Sequence, residues 1–331
     1  MAGIMENREE IIFLYDATNS NPNGDPDEEN RPREDPVTGK IMVTDLRIKR
    51  TMRDFIDSTV SDEKNQILVK RGQADDLSTM QMDDLVFEMI FGKEWKEKKA
   101  EYEKLKKGKE KLISMATDIR KGLLTHAWDV RTFGSVTTLD NFPWTFTGAL
   151  QFSLGMSLNV PNIREIPISP IVATKEAAHS GSLGNYKVVD YALIAVPGIA
   201  CPSIAKENGF TNNDLELAYN ALWKGTMALQ SRSKVGQVSR LLCAVQSKNG
   251  LFQVGGLAGT LEIEESDDRT GIDDCIVLLD KFVGRLVEFK DQIEKIKLKE
   301  DPDLRCTLNG KSITVKKALE DKGFLVEGFA F

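Results

Sequence analysis

The chain has 331 residues, 41% of them hydrophobic and 29% charged, with a formal net charge of −7. That content supplies a sizeable core and excludes a disordered polymer, and the length suits one elaborated domain or two. The negative balance excludes a surface that attracts polyanions as a whole, so any nucleic-acid site must come from local clustering of cations.

The first apolar run, "EIIFLYD" (10–16), predicts a buried strand. Pro22, Pro26, Pro32 and Pro36, with Gly24 and Gly39, then rule out regular structure as far as residue 43. "TDLRIKRTMRDFID" (44–57) predicts an amphipathic helix, with Thr44 or Asp45 as N-cap and Leu46, Ile48, Met52, Phe55 and Ile56 as its apolar positions. Residues 60–125 read as a helical insertion. Its middle, 93–111, holds nine lysines against five glutamates, which suits a solvated helix or a nucleic-acid-facing surface.

"FTGALQFSLGMSLN" (146–159) predicts a strand that bends at its glycines. Residues 163–196 have two β-like arms around the small-residue tip "HSGSLGN" (179–185), the pattern of a hairpin. A helix over 212–231, capped by Asn212, Asn213 or Asp214, leads into a central strand, "VSRLLCAVQ" (238–246). A further helix is expected over 273–297, before "LRCTLNGKSITV" and the apolar end "FLVEGFAF". With no internal repeat and no linker, the order β-α-insertion-β-β-α-β suggests one decorated domain with a ferredoxin-like sheet.

The chemistry points away from catalysis and toward phosphate. Cys201, Cys243, Cys275 and Cys306 form no CxxC pair, so a structural zinc site is not expected and the thiols suit a reducing compartment. His126 and His179 are the only histidines, which argues against a His-rich metal centre or a catalytic triad. No run approaches the roughly 18 apolar residues of a membrane span, and a start charged from Glu6 to Glu10, without the apolar core of a signal peptide, leads us to expect none. A cytoplasmic protein is expected, with no cofactor, no metal and no membrane partner.

Two cationic clusters stand out. Arg47, Lys49, Arg50 and Arg53 form a stripe on the first helix, and "SRSKVGQVSR" (231–240) gathers Arg232, Lys234, Gln237 and Arg240 at a helix-to-strand junction. Guanidinium, ammonium and hydroxyl donors, the last from Ser231 and Ser233, in a glycine-containing turn suit phosphate oxygens, while a solvated face or an ordinary polar connection fits each cluster as well.

The loop motifs NPNGDP (21–26) and RPREDP (31–36), the helix start VTDLRIKR (43–50), and the blocks "DVRTFGSV", "FTGALQFSLGMSLN" and "KVVDYALI" follow one another in order. Together they resemble the guide-RNA-binding backbone subunits of type I CRISPR Cascade complexes, the seventh Cas protein family of the RAMP superfamily, most closely the type I-B subgroup. The resemblance implies an α+β fold: an RRM-like (ferredoxin-like) palm from 10–59, 126–162 and 191–331, helical fingers from 60–125, and a thumb hairpin from 163–190. It implies a non-catalytic subunit that stacks in several copies along CRISPR RNA beside other Cascade subunits. The subunit would grip the guide's backbone while its bases pair with target DNA.

By that resemblance Arg47, Lys49, Arg50, Arg53, Arg232, Lys234, Gln237 and Arg240 would hold guide phosphates. Lys175, His179 and Lys187 would add contacts along the thumb. Ser180, Gly181, Ser182 and Gly184 would let the tip pass closely, and Leu183 would wedge against a displaced base. Asn21 and Asn23 would be RNA-binding residues of a first loop preshaped beside the RNA groove, with Arg31 and Arg33 facing phosphate or a neighbouring copy. Two other readings stay open. One is a metal-dependent nuclease of the type III kind using Asp25 or Asp27, and the other is a guide-processing endonuclease using a histidine.

Overall fold

The computed structural model describes residues 3–70, 81–105, 109–139, 142–168, 184–266 and 269–331. The fold is mixed α and β, and the chain divides into two compact units, each assembled from three separate segments.

The larger unit comprises Glu9–Ile48, Phe152–Ile199 and Trp223–Phe331. Its centre is a sheet whose strands we number β1 (Glu9–Ser20), β2 (Met42–Val43), β3 (Gly155–Ser157), β4 (Ile163–Ile168), β5 (Gly184–Ala200), β6 (Gln237–Ser247), β7 (Ile293–Glu300) and β8 (Val326–Gly328). Their spatial order is β8-β7-β6-β1-β5-β3-β2, with β4 also paired to β5. The apolar run of β1 is continuous because both its faces are covered: Ile11, Ile12, Phe13 and Leu14 are all buried.

Strands β1 and β6 pair antiparallel, with one irregularity. Leu14 faces Leu241 but Tyr15 faces Ser239, which leaves Arg240 without an opposite residue. The two predicted hairpin arms are paired antiparallel, from Gly184 opposite Ile168 to Val189 opposite Ile163. Of the expected tip, 179–185, residues 179–183 lie outside the described residues, and Gly184 and Asn185 belong to strand β5.

The C-terminal third covers one face of this sheet. The alternating residues Ile12, Leu14, Tyr191, Leu193, Leu241, Cys243, Ile296 and Leu298 share a core with Phe282, Val283 and Leu286 of helix Asp280–Glu288 and with Val315, Ala318 and Leu319 of helix Val315–Glu320. Here the sequence expectation fails. Instead of one helix over 273–297, strand Ile276–Leu278, the short helix Asp280–Glu288 and strand β7 follow one another. In "IEKIKLKE" Ile296 and Leu298 turn inward between outward lysines, a period of two that a helix cannot satisfy. The region 146–159 likewise holds the separate strands Phe142–Thr147, Leu150–Phe152 and Gly155–Ser157 rather than one bent strand.

The smaller unit comprises Met1–Arg8, Lys49–Gln151 and Ala200–Leu222. Helices Met82–Phe91, Trp95–Leu105 and Lys109–His126 occupy the region read as a helical insertion. Leu85, Val86, Phe87, Tyr102, Ile119 and Leu123 form their core, with Leu68 and Val130. Arg131 braces this unit, pairing with Asp214 at 2.8 Å and donating to the carbonyls of Leu124, Thr125 and Lys64. The helix expected over 212–231 spans Asn212–Met227. Its cap is Thr211, one residue earlier than expected: Thr211 Oγ1 accepts from the Asp214 amide, and the Asp214 carboxylate accepts from the Thr211 amide and hydroxyl.

Candidate nucleic-acid interface

In the larger unit, strand β1 ends at Ser20 and the next residue ties three segments together. The Asn21 amide donates to the Ser233 carbonyl at 2.6 Å, and its Nδ2 donates to the carbonyls of Asn30 and Lys187 at 2.7 and 3.2 Å. Its own carbonyl accepts from Lys234 Nζ. Loop 21–44, the turn before β6 and strand β5 are thereby fixed to one another.

Asn23 completes the frame. Its Oδ1 accepts from the amide and hydroxyl of Thr44, both at 2.9 Å. The Thr44 hydroxyl oxygen accepts from the Arg47 amide and so caps helix Asp45–Thr59. Gly236 is a position where only glycine fits, and a side chain at Gly24 would force Asn30 to move. A Cβ on Gly24 would lie 1.9 Å from the Asn30 side chain, and one on Gly236, at φ +97°, 2.6 Å from the Thr18 carbonyl.

Around this frame stand the cations. Arg47 lies in the first turn of the helix, close enough to act on Lys234. Burial and the Arg47 guanidinium together bring the Lys234 ammonium down to about 7. The Arg232 guanidinium lies 5.8 Å from the centre of the Tyr186 ring. Lys187 pairs with Glu29 at 3.1 Å and with Glu165 at 3.7 Å. Arg31 pairs with Glu34 at 3.3 Å and Arg33 with Asp25 at 2.8 Å. Of these the Arg31–Glu34 pair is exposed and contributes about 0–1 kcal/mol, while Arg33–Asp25 and the Lys187 ammonium are half-buried or more. Buried beside them are Ser20 Oγ, Asn21 Oδ1 and Gln237 Nε2, polar atoms with no hydrogen-bond partner among the described residues.

The other cations have different surroundings. Arg240, the residue at the irregularity of β6, is turned onto Asp16 at 2.8 Å and Asp301 at 3.0 Å, with Tyr191 donating to the same Asp16 oxygen. Burial outweighs Arg240 at Asp16 and raises its pKa, and burial with the nearby Asp16 raises that of Tyr191.

In the smaller unit Arg53 pairs with the fully buried Asp129 at 2.9 Å, and the same carboxylate accepts from the Leu68 and Val69 amides. Lys49 donates to Gln151 at 2.8 Å and lies over the Phe133 ring. Arg50 is exposed and pairs with Asp54. The sequence cluster therefore brings together Arg47, Lys187, Arg232, Lys234 and Gln237 around Asn21, and turns Arg53 and Arg240 inward onto acids. Lys175, His179, Ser180, Ser182 and Leu183 lie outside the described residues.

The residues invoked by the nuclease readings have other partners. Asp25 accepts from the Asp27 amide and pairs with Arg33, and His126 contacts the Glu63 carbonyl at 2.9 Å. Thr44 is a cap the sequence offers, and its bond to Asn23 goes beyond that expectation; Tyr186 is the residue that sequence reasoning misses, although an aromatic residue next to a lysine, as in "NYK", is a recognisable stacking signal.

The fold is shared with chains of solved CRISPR RNA-guided surveillance complexes. A chain of a pre-nicking complex aligns over 89% of this chain and 93% of its own length with a TM-score of 0.53 and 13% identity. A chain of another surveillance complex aligns over 98% and 95% with a TM-score of 0.51 and 12% identity. Residues 7–275 match the family CRISPR-associated protein Cas7, and the chain belongs to that family. The CRISPR-associated protein Cas7 of Haloferax volcanii is 27% identical over 329 residues, covering 93% of this chain and 91% of the relative. No helix among the described residues is long and apolar enough to cross a membrane.

Proposed function

We propose that this chain is a non-catalytic backbone subunit of a type I, I-B-like CRISPR effector, several copies of which hold one guide RNA and present its bases to target DNA. The sheet order would make β6-β1-β5-β3 the RRM-like palm, with 60–125 as fingers and 163–190 as thumb. The supporting observation is the set of cations around Asn21, mounted at one end of the sheet on a frame braced by buried asparagines. Such a frame suits a repeating sugar-phosphate chain, which offers charge and shape but no sequence. In this reading Arg47, Lys187, Arg232 and Lys234 are the principal phosphate contacts, Arg31, Arg33, Lys49 and Arg50 are auxiliary, and Arg53 and Arg240 are braces. Asp25, engaged by Arg33, shapes the loop.

The test is binding of single-stranded RNA over a range of salt by the purified chain and by an Arg47→Ala/Arg232→Ala variant. Affinity should fall steeply with salt, and the variant should lose about 0.7 of the log–log slope per phosphate contact removed. An unchanged affinity and slope in a variant with native circular dichroism would reject the site.

A further inference from the structure

Lys234 is placed in an unusual way for a lysine. Its ammonium, which has three protons to donate, is turned inward onto one described acceptor, the Asn21 carbonyl. Among the described residues no carboxylate pairs with it. The charges on the surrounding elements have their own surroundings. Arg47 on helix Asp45–Thr59 acts on Lys234 directly. Arg232 in its own turn stacks on Tyr186, Lys187 on β5 is held by Glu29 and Glu165, and Asp16 on β1 is held by Arg240. Lys234 thus faces a second cation and no paired carboxylate, an arrangement that disfavours a charged lysine in the free chain and favours an anion beside it.

We propose that Lys234 takes up a proton together with a guide phosphate, so that this chain holds RNA more tightly as the pH falls toward neutrality. The inference rests on the RNA-holding reading above and adds a proton to it. Near pH 7 the free chain spends part of its time with Lys234 neutral, since burial and Arg47 lower its pKa to about 7. A phosphate supplies the missing opposite charge and restores the ordinary lysine behaviour. Above the free-state pKa the bound state then carries more protons than the free state, and affinity falls as pH rises. Below it both states are protonated and affinity is level.

Binding of fluorescein-labelled single-stranded RNA is measured by anisotropy from about pH 6 to about pH 9, where the wild type should weaken by up to about tenfold per pH unit above neutrality. Lys234→Arg, whose charge does not titrate in this range, should bind with a much flatter profile. Calorimetry of the wild-type chain in two buffers of different ionisation enthalpy should show proton uptake on binding near pH 8. Tight RNA binding with a level pH profile and no buffer dependence of the heat overturns the inference and leaves the RNA reading standing. The same slope in Lys234→Arg as in the wild type also overturns it. Absence of RNA binding at every pH removes both.

Discussion

Two arginines show how little a residue's type says about the role it takes. Arg232 and Arg240 lie in one short basic stretch, yet Arg232 lies against a tyrosine ring and Arg240 is clamped between Asp16 and Asp301. The positive charge of "SRSKVGQVSR" was legible in the sequence. The direction of Arg240 was not, because it depends on a register shift against β1, and pairing between strands more than 200 residues apart leaves no local mark. Removing Arg240 strands an almost fully buried carboxylate, Oδ1 of which has no hydrogen-bond partner among the described residues. Arg240→Ala should therefore cost about 3–5 kcal/mol of stability in urea titrations. The pH dependence follows from the raised pKa of Asp16. The folded chain keeps that proton more readily than the unfolded one, so the stability linked to it is present at low pH and lost as pH rises through the folded value. Without Arg240 the folded value rises further, and the penalty should be smaller in acid than at neutrality. An equal penalty at both would show that Asp16 does not carry the effect.

Elements were most legible where one strong local signal fixed them. The apolar run of β1, the threonine before helix Asp45–Thr59 and the paired arms β4 and β5 all have such signals. The failure over 273–297 has a physical source. "DKFVGRLVE" has a helical repeat, and "IEKIKLKE" adds alternating lysines and glutamates that carry little intrinsic strand preference, so its period of two was absorbed into the preceding helix. Thr44 tests how tightly one element is joined to the next. Its hydroxyl caps the helix and donates to Asn23, so Thr44→Ala removes both contacts. Thermal unfolding should show a loss of about 1 kcal/mol or somewhat more, and limited proteolysis should cut loop 21–44 faster. Thr44→Ser keeps the hydroxyl and should behave like the wild type. If Thr44→Ala and Thr44→Ser cannot be told apart, the cap and the latch contribute nothing to loop 21–44.

At the scale of the whole molecule, the negative net charge and the cationic interface are compatible because they act over different distances. At physiological salt screening confines charge effects to about 8 Å, so the groups around Asn21 act on an anion nearby while distant acids are screened. The C-terminal third carried no functional signal in the sequence, yet its structural role is definite, because it covers the face of the sheet formed by alternate residues of β1, β5 and β6. Phe282 is fully buried in that cover, and Phe282→Ala should cost about 3–5 kcal/mol through the cavity it leaves. The cation frame, by contrast, stands at the end of β1 and is held by its own hydrogen bonds through Asn21 and Asn23. RNA affinity of Phe282→Ala, measured well below its lowered melting temperature, should therefore match the wild type. Scanning calorimetry and anisotropy on the same preparation separate the two effects. A variant that stays folded yet loses RNA affinity would show that the C-terminal third shapes the interface as well as supporting the sheet beneath it.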